Sequence, residues 1–583
     1  MITSLGEGVA ENFNALISGR SGVSFTDDGR ITETGLMVGT IPETVYGALR
    51  ERYDAENALT RAELLAVACL RSLGTGISGL PGRTGLVIAS AKGNVELLEG
   101  RCRGDSPDIP EDELFGSMSS RIAALAGIPA DDVYVISDAC ISGVAAEVFA
   151  RRLILGGRYD NMAVVGVDVQ NRFITSGFAS FKSLSPELCR PYDASRCGLN
   201  LGEAAGALLL VRDAGTASAL NRKIEGDGFR GMAGISGGAV TDDANHISGP
   251  SRTGDGLFLA MRGAMSEAGV TPDMTDALQM HGTATAYNDE MESKAVSLAG
   301  LQNVPVQSLK PCFGHTMGAS GVIETIMAAE EMRSGIFAGT KGFGKPGVPM
   351  PMNVSAENRR INMKHCLKTA SGFGGTNAAV MLTRIDDPES GPSVELPAIP
   401  SGACPDRTVT IADGCITVDG SPAFSGEPEF SGFIRDAYRA RGESYPKFYK
   451  MDDFCKLGYI AAEWLLDGKD FDGEKCGIII CGKYGCLDTD IRHQRIIDNE
   501  GDASASPAVF VYTLPNVAAA EISIRHRIKG ENIWFCSEWH SPEDFYGYAS
   551  LLMATEGYEC CICGRMDFIN GEYFAKFDFL LPQ

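Results

Sequence analysis

Short apolar runs alternate with longer stretches of roughly 3.6-residue periodicity through the first 385 residues, and the alternation is regular enough to assign elements. Strands are predicted at Gly85-Leu-Val-Ile-Ala-Ser90, Val133 to Ser137, Met162 to Val169 and Gly206 to Val211, with a helix from Val144 to Leu155 that stops at Gly156-Gly157. A second series follows: a helix over Gly256 to Gly269, strand Ala277 to Met280, a helix from Asp289, strand Val304 to Leu309, a helix from Ser320 to Ser334 and strand Ala378 to Leu382. Alternating strands and helices of this kind imply an α/β fold with two similar halves, residues 1–212 and 213–385. Periodicity fails over 386–405, where Pro388, Pro392, Pro397, Pro400 and Pro405 mark a linker, and resumes in a third region, 406–583.

Composition narrows the classes. The 583 residues, 44% hydrophobic and 22% charged, suit a folded globular chain of several domains, and 70 glycines suit many tight turns. A formal net charge of −24 argues against general binding to nucleic acid or to an anionic membrane. The start, Met1-Ile-Thr-Ser-Leu-Gly, lacks the basic and apolar regions of a secretory leader, and no apolar run reaches the roughly 18 residues of a membrane span, so a cytoplasmic protein is expected. Seventeen cysteines are an odd count in a large chain and lie mostly in apolar patterns, as reduced, buried thiols do. Cys560-Cys-Ile-Cys563, with Cys536, lacks the paired knuckles of a zinc site; no metal and no cofactor is expected.

One cysteine stands apart. In Val133-Tyr-Val-Ile-Ser-Asp-Ala-Cys-Ile-Ser-Gly143 a strand turns into a helix with Cys140 at the turn, where free N–H groups and the helix dipole favour a thiolate nucleophile. Three further motifs sit where strands end: His281-Gly-Thr-Ala-Thr285, Lys310-Pro-Cys-Phe-Gly-His-Thr-Met-Gly-Ala-Ser-Gly321 with Glu324 beyond it, and Ser371-Gly-Phe-Gly-Gly-Thr-Asn377. Ligand sites of open α/β sheets gather at such ends, so one shared site is expected. His281 and His315 each adjoin a glycine there. A Cys-His-His metal site is the other reading, without short-range ligand spacing to support it. Asp289 and Glu292, one helical turn apart, read as structural.

With Pro191-Tyr-Asp-Ala-Ser-Arg-Cys-Gly-Leu-Asn-Leu-Gly-Glu-Ala-Ala-Gly206, these motifs resemble, in order and over residues 1–385, the β-ketoacyl-acyl-carrier-protein synthases of the thiolase superfamily, in the branch with one cysteine and two histidines. A thiolase would carry a second cysteine where Gly372-Phe-Gly-Gly-Thr-Asn377 stands, and the initiating synthases pair one histidine with an asparagine. The resemblance implies a thiolase-like fold and a decarboxylative Claisen condensation in fatty-acid or polyketide-type biosynthesis. Cys140 would take an acyl chain from a carrier, and His281 and His315 would stabilise the enolate of malonyl carrier. The N–H groups of Cys140 and Phe373 would hold the acyl oxyanion, and Phe373 would gate malonyl access. Lys310, paired with Glu324, would support the loop, and Phe178 is a candidate wall of the acyl pocket. The partner implied is a separate acyl carrier protein. Departures at Cys197, Ala204 and Ser371 touch pocket shape, and Met1 stands where the family has already completed a first strand.

Residues after Pro405 resemble a partial repeat of the family's first half. Lys450 to Glu463 matches an early helix, Cys476-Gly-Ile-Ile-Ile480 the strand at Gly85, and Pro507 to Glu531 the dimer segment before the nucleophile. Ungapped, Ile533-Trp-Phe-Cys-Ser-Glu-Trp-His-Ser541 sets His540 at the place of Cys140, so 406–583 reads as a degenerate, non-catalytic half-domain. It is expected to act as a built-in structural partner in a homodimer or pseudo-dimer, covering sheet edges and shaping the acyl tunnel. The alternative function is a non-catalytic chain-length factor or carrier-binding partner; Cys140 speaks for the enzyme.

Overall fold

The computed structural model describes the whole chain except residues 75–76, 78–79, 104–108, 110, 214–215, 218–231, 387–401, 443 and 583. The first half builds a sheet from Ile2–Thr3 (β1), Thr84–Ala89 (β2), Val133–Ile136 (β3), Asn161–Asp168 (β4) and Ala204–Val211 (β5). Val133 to Ile136 is β-branched or aromatic throughout and buried on both faces, as a central parallel strand requires. β2 pairs in parallel with β3 and β4, while β5 runs antiparallel to β4 and β1. Ile2 and Thr3 pair with Ala205 and Ala204, so the chain's first residues lie as a short strand beside β5. Helix Ser142–Leu155 (α1) follows β3, and Arg172–Ser180 (α2) follows β4.

The second half holds Met232–Asp242 (β6), Ala277–Gln279 (β7), helix Ala286–Leu298 (α3), Pro305–Gln307 (β8), helix Ser320–Ser334 (α4), His365–Ser371 (β9) and Thr376–Ile385 (β10). Its sheet runs β6-β10-β9-β7-β8 and closes on Asn353–Val354. α1 and α4 share one apolar core with Val87, Tyr134 and Val164 of the first sheet and Ala378 and Val380 of the second. The helices are therefore a layer between two sheets, and the strand ends of both halves meet at their N-termini.

The third region comprises Ala403–Ala412 (β11), helix Asp453–Leu465 (α5), Cys476–Gly482 (β12), helices Leu487–Glu500 (α6) and Asn516–His526 (α7), Asn532–Cys536 (β13), helix Tyr546–Thr555 (α8), Cys560–Ile569 (β14) and Glu572–Pro582 (β15). Its pairing copies the first half: β12 lies parallel to β13 and β14, and β15 antiparallel to β14 and β11. The two copies fuse into one 13-stranded sheet whose middle reads β1-β5-β4-β2-β3-β13-β12-β14-β15-β11. That order is symmetric about the junction, where Ile136 pairs antiparallel with Phe535 and the Ser137 N–H donates to Trp534 O at 3.1 Å. Most of the expected linker lies outside the described residues, but its last residues belong to β11, which accommodates Pro405 at a bulge. Cys560, Cys561 and Cys563 are free, buried thiols within β14. Among the described residues, no single helix is long and apolar enough to cross a bilayer.

Candidate active site

β3 ends at Ile136, and the chain turns through Ala139, held at a φ of 47°, and a 3-10 turn Ala139–Ile141 into α1. A non-glycine residue in that region stores strain that the surrounding packing sustains. The turn presents Cys140, nearly buried, with its Sγ 3.0 Å from Nε2 of His315 and facing the N–H of Phe373. His315 Nδ1 accepts the Met317 N–H at 3.3 Å and lies 3.1 Å from the Ser320 hydroxyl. Because Nδ1 is an acceptor, the proton of a neutral ring sits on Nε2, which therefore points a donor at the thiol. His281 meets His315 edge to face, ring centres 5.0 Å apart, and donor atoms of Cys140, His281 and His315 all lie within 4.8 Å of one another. The three residues come from β3–α1, the loop after β7 and the loop before α4.

Burial sets the charge states. It pushes the Cys140 thiol up to about 12, against the opposing pull of Lys310 and the Phe373 N–H. Burial thus works against the bias toward thiolate expected of a helix terminus, and the resting residue is a thiol. Burial, reinforced by Lys310, holds His281 and His315 well below the ordinary histidine range, and both rings are neutral.

Behind the histidines lies a buried charge array. Lys310 Nζ reaches Glu324 Oε1 at 2.9 Å, and Lys368 Nζ reaches Glu324 Oε2 at 2.5 Å. Burial alone would raise the Glu324 carboxyl, but the two ammonium groups more than offset it and hold it below the carboxylate range. Lys368, in the middle of β9, was not among the sequence candidates; a lysine inside the run His365-Cys-Leu-Lys-Thr-Ala-Ser371 was its only signal. Asp289 and Glu292 of α3 are structural in this site: Glu292 accepts the Tyr192 hydroxyl at 2.5 Å and the Gly282 N–H at 3.1 Å, which fixes the His281 loop.

Phe373 and Phe178 lie ring against ring beside His315. Their rings stack at 6.0 Å, and Phe178 lies 6.4 Å from the His315 ring. Phe510, from the third region, packs on Phe178 at 5.6 Å and against Gly177, where a Cβ would come within 2.2 Å of its ring. No local signal marked Phe510. The copied strand–turn–helix, β13 to α8, carries His540 with Nδ1 2.7 Å from the Ser537 hydroxyl and its ring stacked on Tyr134 at 5.1 Å.

The sequence profile of the beta-ketoacyl synthase N-terminal domain matches residues 1–215, and that of the beta-ketoacyl synthase C-terminal domain matches residues 232–343. The 3-oxoacyl-[acyl-carrier-protein] synthase 2 of Rhizobium meliloti (strain 1021) is 32% identical over 323 residues, 52% of this chain and 74% of that protein. The synthase of the same name from Vibrio cholerae serotype O1 is 26% identical over 419 residues, 66% of this chain and 97% of that protein. Among solved structures, the ishigamide ketosynthase/chain length factor is 26% identical with a TM-score of 0.57 over 66% of this chain and 96% of that one. The PfaC keto synthase-chain length factor covers 100% of this chain and 77% of its own with a TM-score of 0.74 at 15% identity, a likeness of fold.

Proposed function

The chain belongs to the β-ketoacyl synthase family and is a condensing enzyme of thiolase-like fold, and from that premise we propose how its own residues divide the reaction. Cys140 attacks the thioester of an acyl-carrier protein; its sulfur bonds to the acyl carbon, the carrier sulfur leaves, and the thiol proton passes overall to the departing carrier thiolate. The N–H groups of Cys140 and Phe373 hold the oxyanion of that step. Malonyl carrier then enters, loses carbon dioxide, and its carbon–carbon bonding pair becomes an enolate whose oxygen accepts hydrogen bonds from His281 and His315. The enolate carbon attacks the acyl carbon, 3-oxoacyl carrier leaves, and the Cys140 thiolate takes up a proton.

The observation that carries this division is the His315 ring: Nδ1 occupied by Met317 N–H, Nε2–H directed at the Cys140 sulfur. Two neutral rings over a cationic array suit a developing anion without themselves titrating. Residues 1–212 supply the nucleophile, 213–385 both histidines, and 406–583 serve as an internal partner, making the chain a pseudo-dimer. Separate carrier protein and a cytoplasmic setting complete the reading. Intact-mass spectrometry after incubation with acyl carrier, then malonyl carrier, tests it: wild type gains and then loses an acyl mass that Cys140→Ala never gains. A wild type that stays unacylated overturns the reading.

A further inference from the structure

The loop Gly372–Gly375 between β9 and β10 is held from outside its own half. The Phe373 carbonyl accepts the Asn516 Nδ2–H at 2.9 Å, and Asn516, first residue of α7, is fully buried. Gly374 lies against the same carboxamide at a φ of 94°, where a Cβ would come within 2.7 Å of Nδ2. Its N–H donates to Ile247 O at 2.7 Å, tying the Phe373 loop to the loop after β6. That second loop is gripped by the same region. The Asp242 N–H donates to Lys529 O at 3.1 Å, Asn532 Nδ2 reaches Asp242 Oδ2 at 3.1 Å, and Lys529 Nζ reaches Asp255 at 2.8 Å. Within the Phe373 loop itself the carbonyl has only the Thr376 hydroxyl, at 3.4 Å.

We propose that Asn516 is a positioning residue of the condensation: it holds the Phe373 loop closed over Cys140 and so keeps malonyl decarboxylation waiting until an acyl group is in place. The inference rests on the condensing role given above to Cys140 and Phe373. Its logic is local. One face of the Phe373 residue offers the N–H that faces the Cys140 sulfur, while its carbonyl is pinned by Asn516. The ring is stacked on Phe178 and lies 5.4 Å from Phe181, on the same residue whose N–H faces the thiol. Loss of the pin leaves the Phe373 carbonyl only the weak Thr376 hydroxyl contact, with the loop still tied through the Gly372 and Gly374 N–H groups on either side. Asn516 Oδ1 has no partner among the described residues, so the carboxamide contributes its donor and little else to stability.

The full-length chain carries the test. Asn516→Leu keeps the branched outline and removes the donor; Asn516→Ala removes it with less bulk and carries the same expectation where the leucine variant does not fold. Two quantities are read: acyl-Cys140 formation by intact mass, and carbon dioxide released from malonyl carrier with and without prior acylation. The ratio of uncoupled decarboxylation to condensation is expected to rise about three- to tenfold, the factor of one net hydrogen bond, while acylation at saturating acyl carrier changes by less than about twofold. A purely structural asparagine would lower thermal stability and leave that ratio at the wild-type value, and this result overturns the inference. It stays distinct from failure of the condensing role, in which wild type itself forms no acyl-Cys140.

Discussion

His315→Ala separates the two half-reactions. In the structure His315 is tied at Nδ1 by Met317 N–H and Ser320, so its Nε2 is a donor and cannot take the proton of Cys140. In the proposed division acyl transfer draws on the backbone N–H groups of Cys140 and Phe373, which the substitution leaves in place. Condensation loses one of two imidazole donors to the enolate, and removing a donor of this type costs about 2.7–4 kcal/mol of barrier, roughly a 10²- to 10³-fold loss. The vacated Met317 N–H costs a further ~1–3 kcal/mol of stability, so rates are normalised to folded protein. Rapid-quench intact-mass spectrometry follows both steps: acyl-Cys140 should appear within about tenfold of the wild-type rate, and its consumption by malonyl carrier should slow by two to three orders of magnitude. Equal losses in both steps would refute the reasoning, because they would make His315 the proton acceptor for the thiol and reverse the tautomer.

Three further outcomes follow from the same geometry. Glu324→Gln strands two buried ammonium groups and should cost about 3–5 kcal/mol, whereas Lys368→Met leaves Lys310 and Glu324 as a one-to-one pair and should cost less; equal losses by thermal unfolding would contradict the shared-carboxylate geometry. Phe510→Ala removes a ring packed on Phe178, should cost about 3–5 kcal/mol, and should let Cys140 accept longer acyl chains from a graded series of carriers; an unchanged length profile by mass spectrometry would remove Phe510 from the pocket wall. With the Cys140 thiol pushed up to about 12, its thiolate fraction grows as pH rises, so iodoacetamide alkylation should climb about tenfold per unit between about pH 7 and pH 10, and a plateau below about pH 9 would place the thiol lower.

Strands with uniform chemistry were legible in the sequence. Val133 to Ile136 and Asn161 to Asp168 are apolar runs between turn residues, and the structure moves their ends by a residue. β9 was missed because Lys368, Thr369 and Ser371 break its apolar pattern, although all are buried; Lys368 finds its partner on α4 and Thr369 at Met280 beyond β7, neither within a local window. Helix α3 starts at Ala286, not Asp289, because Thr285 and not the acidic pair occupies its N-cap. Cys140, His281 and His315 were visible because each sits in a glycine-rich junction with its own spacing. Phe510 and Asn516 were invisible as site residues for the opposite reason: their sequence context is that of ordinary core helix, and only the docking of two copied sheets brings them beside residues more than a hundred positions away.

That docking explains why a copy without a cysteine at the place matched to Cys140 persists. Standing alone, the first half would end at β3, whose outer edge would offer unpaired backbone groups along a strand apolar on both faces. β13 covers that edge, and Arg152 of α1 is buried against Glu531 and Tyr548 of the copy, with Tyr548 reaching Glu531 as well. Breaking such a buried cluster by removing one partner costs about 3–5 kcal/mol, so the interface is fixed by burial and not by activity. Through it the copy lends the working half Phe510 and Asn516, a loan that a symmetric pair of chains would make in both directions. With a cysteine at only one of the two matched turns, the proposed chemistry uses one direction. The place that the ungapped match sets against Cys140 holds His540, which packs as a structural side chain does, stacked on Tyr134 of the first sheet and bonded to Ser537 of its own turn.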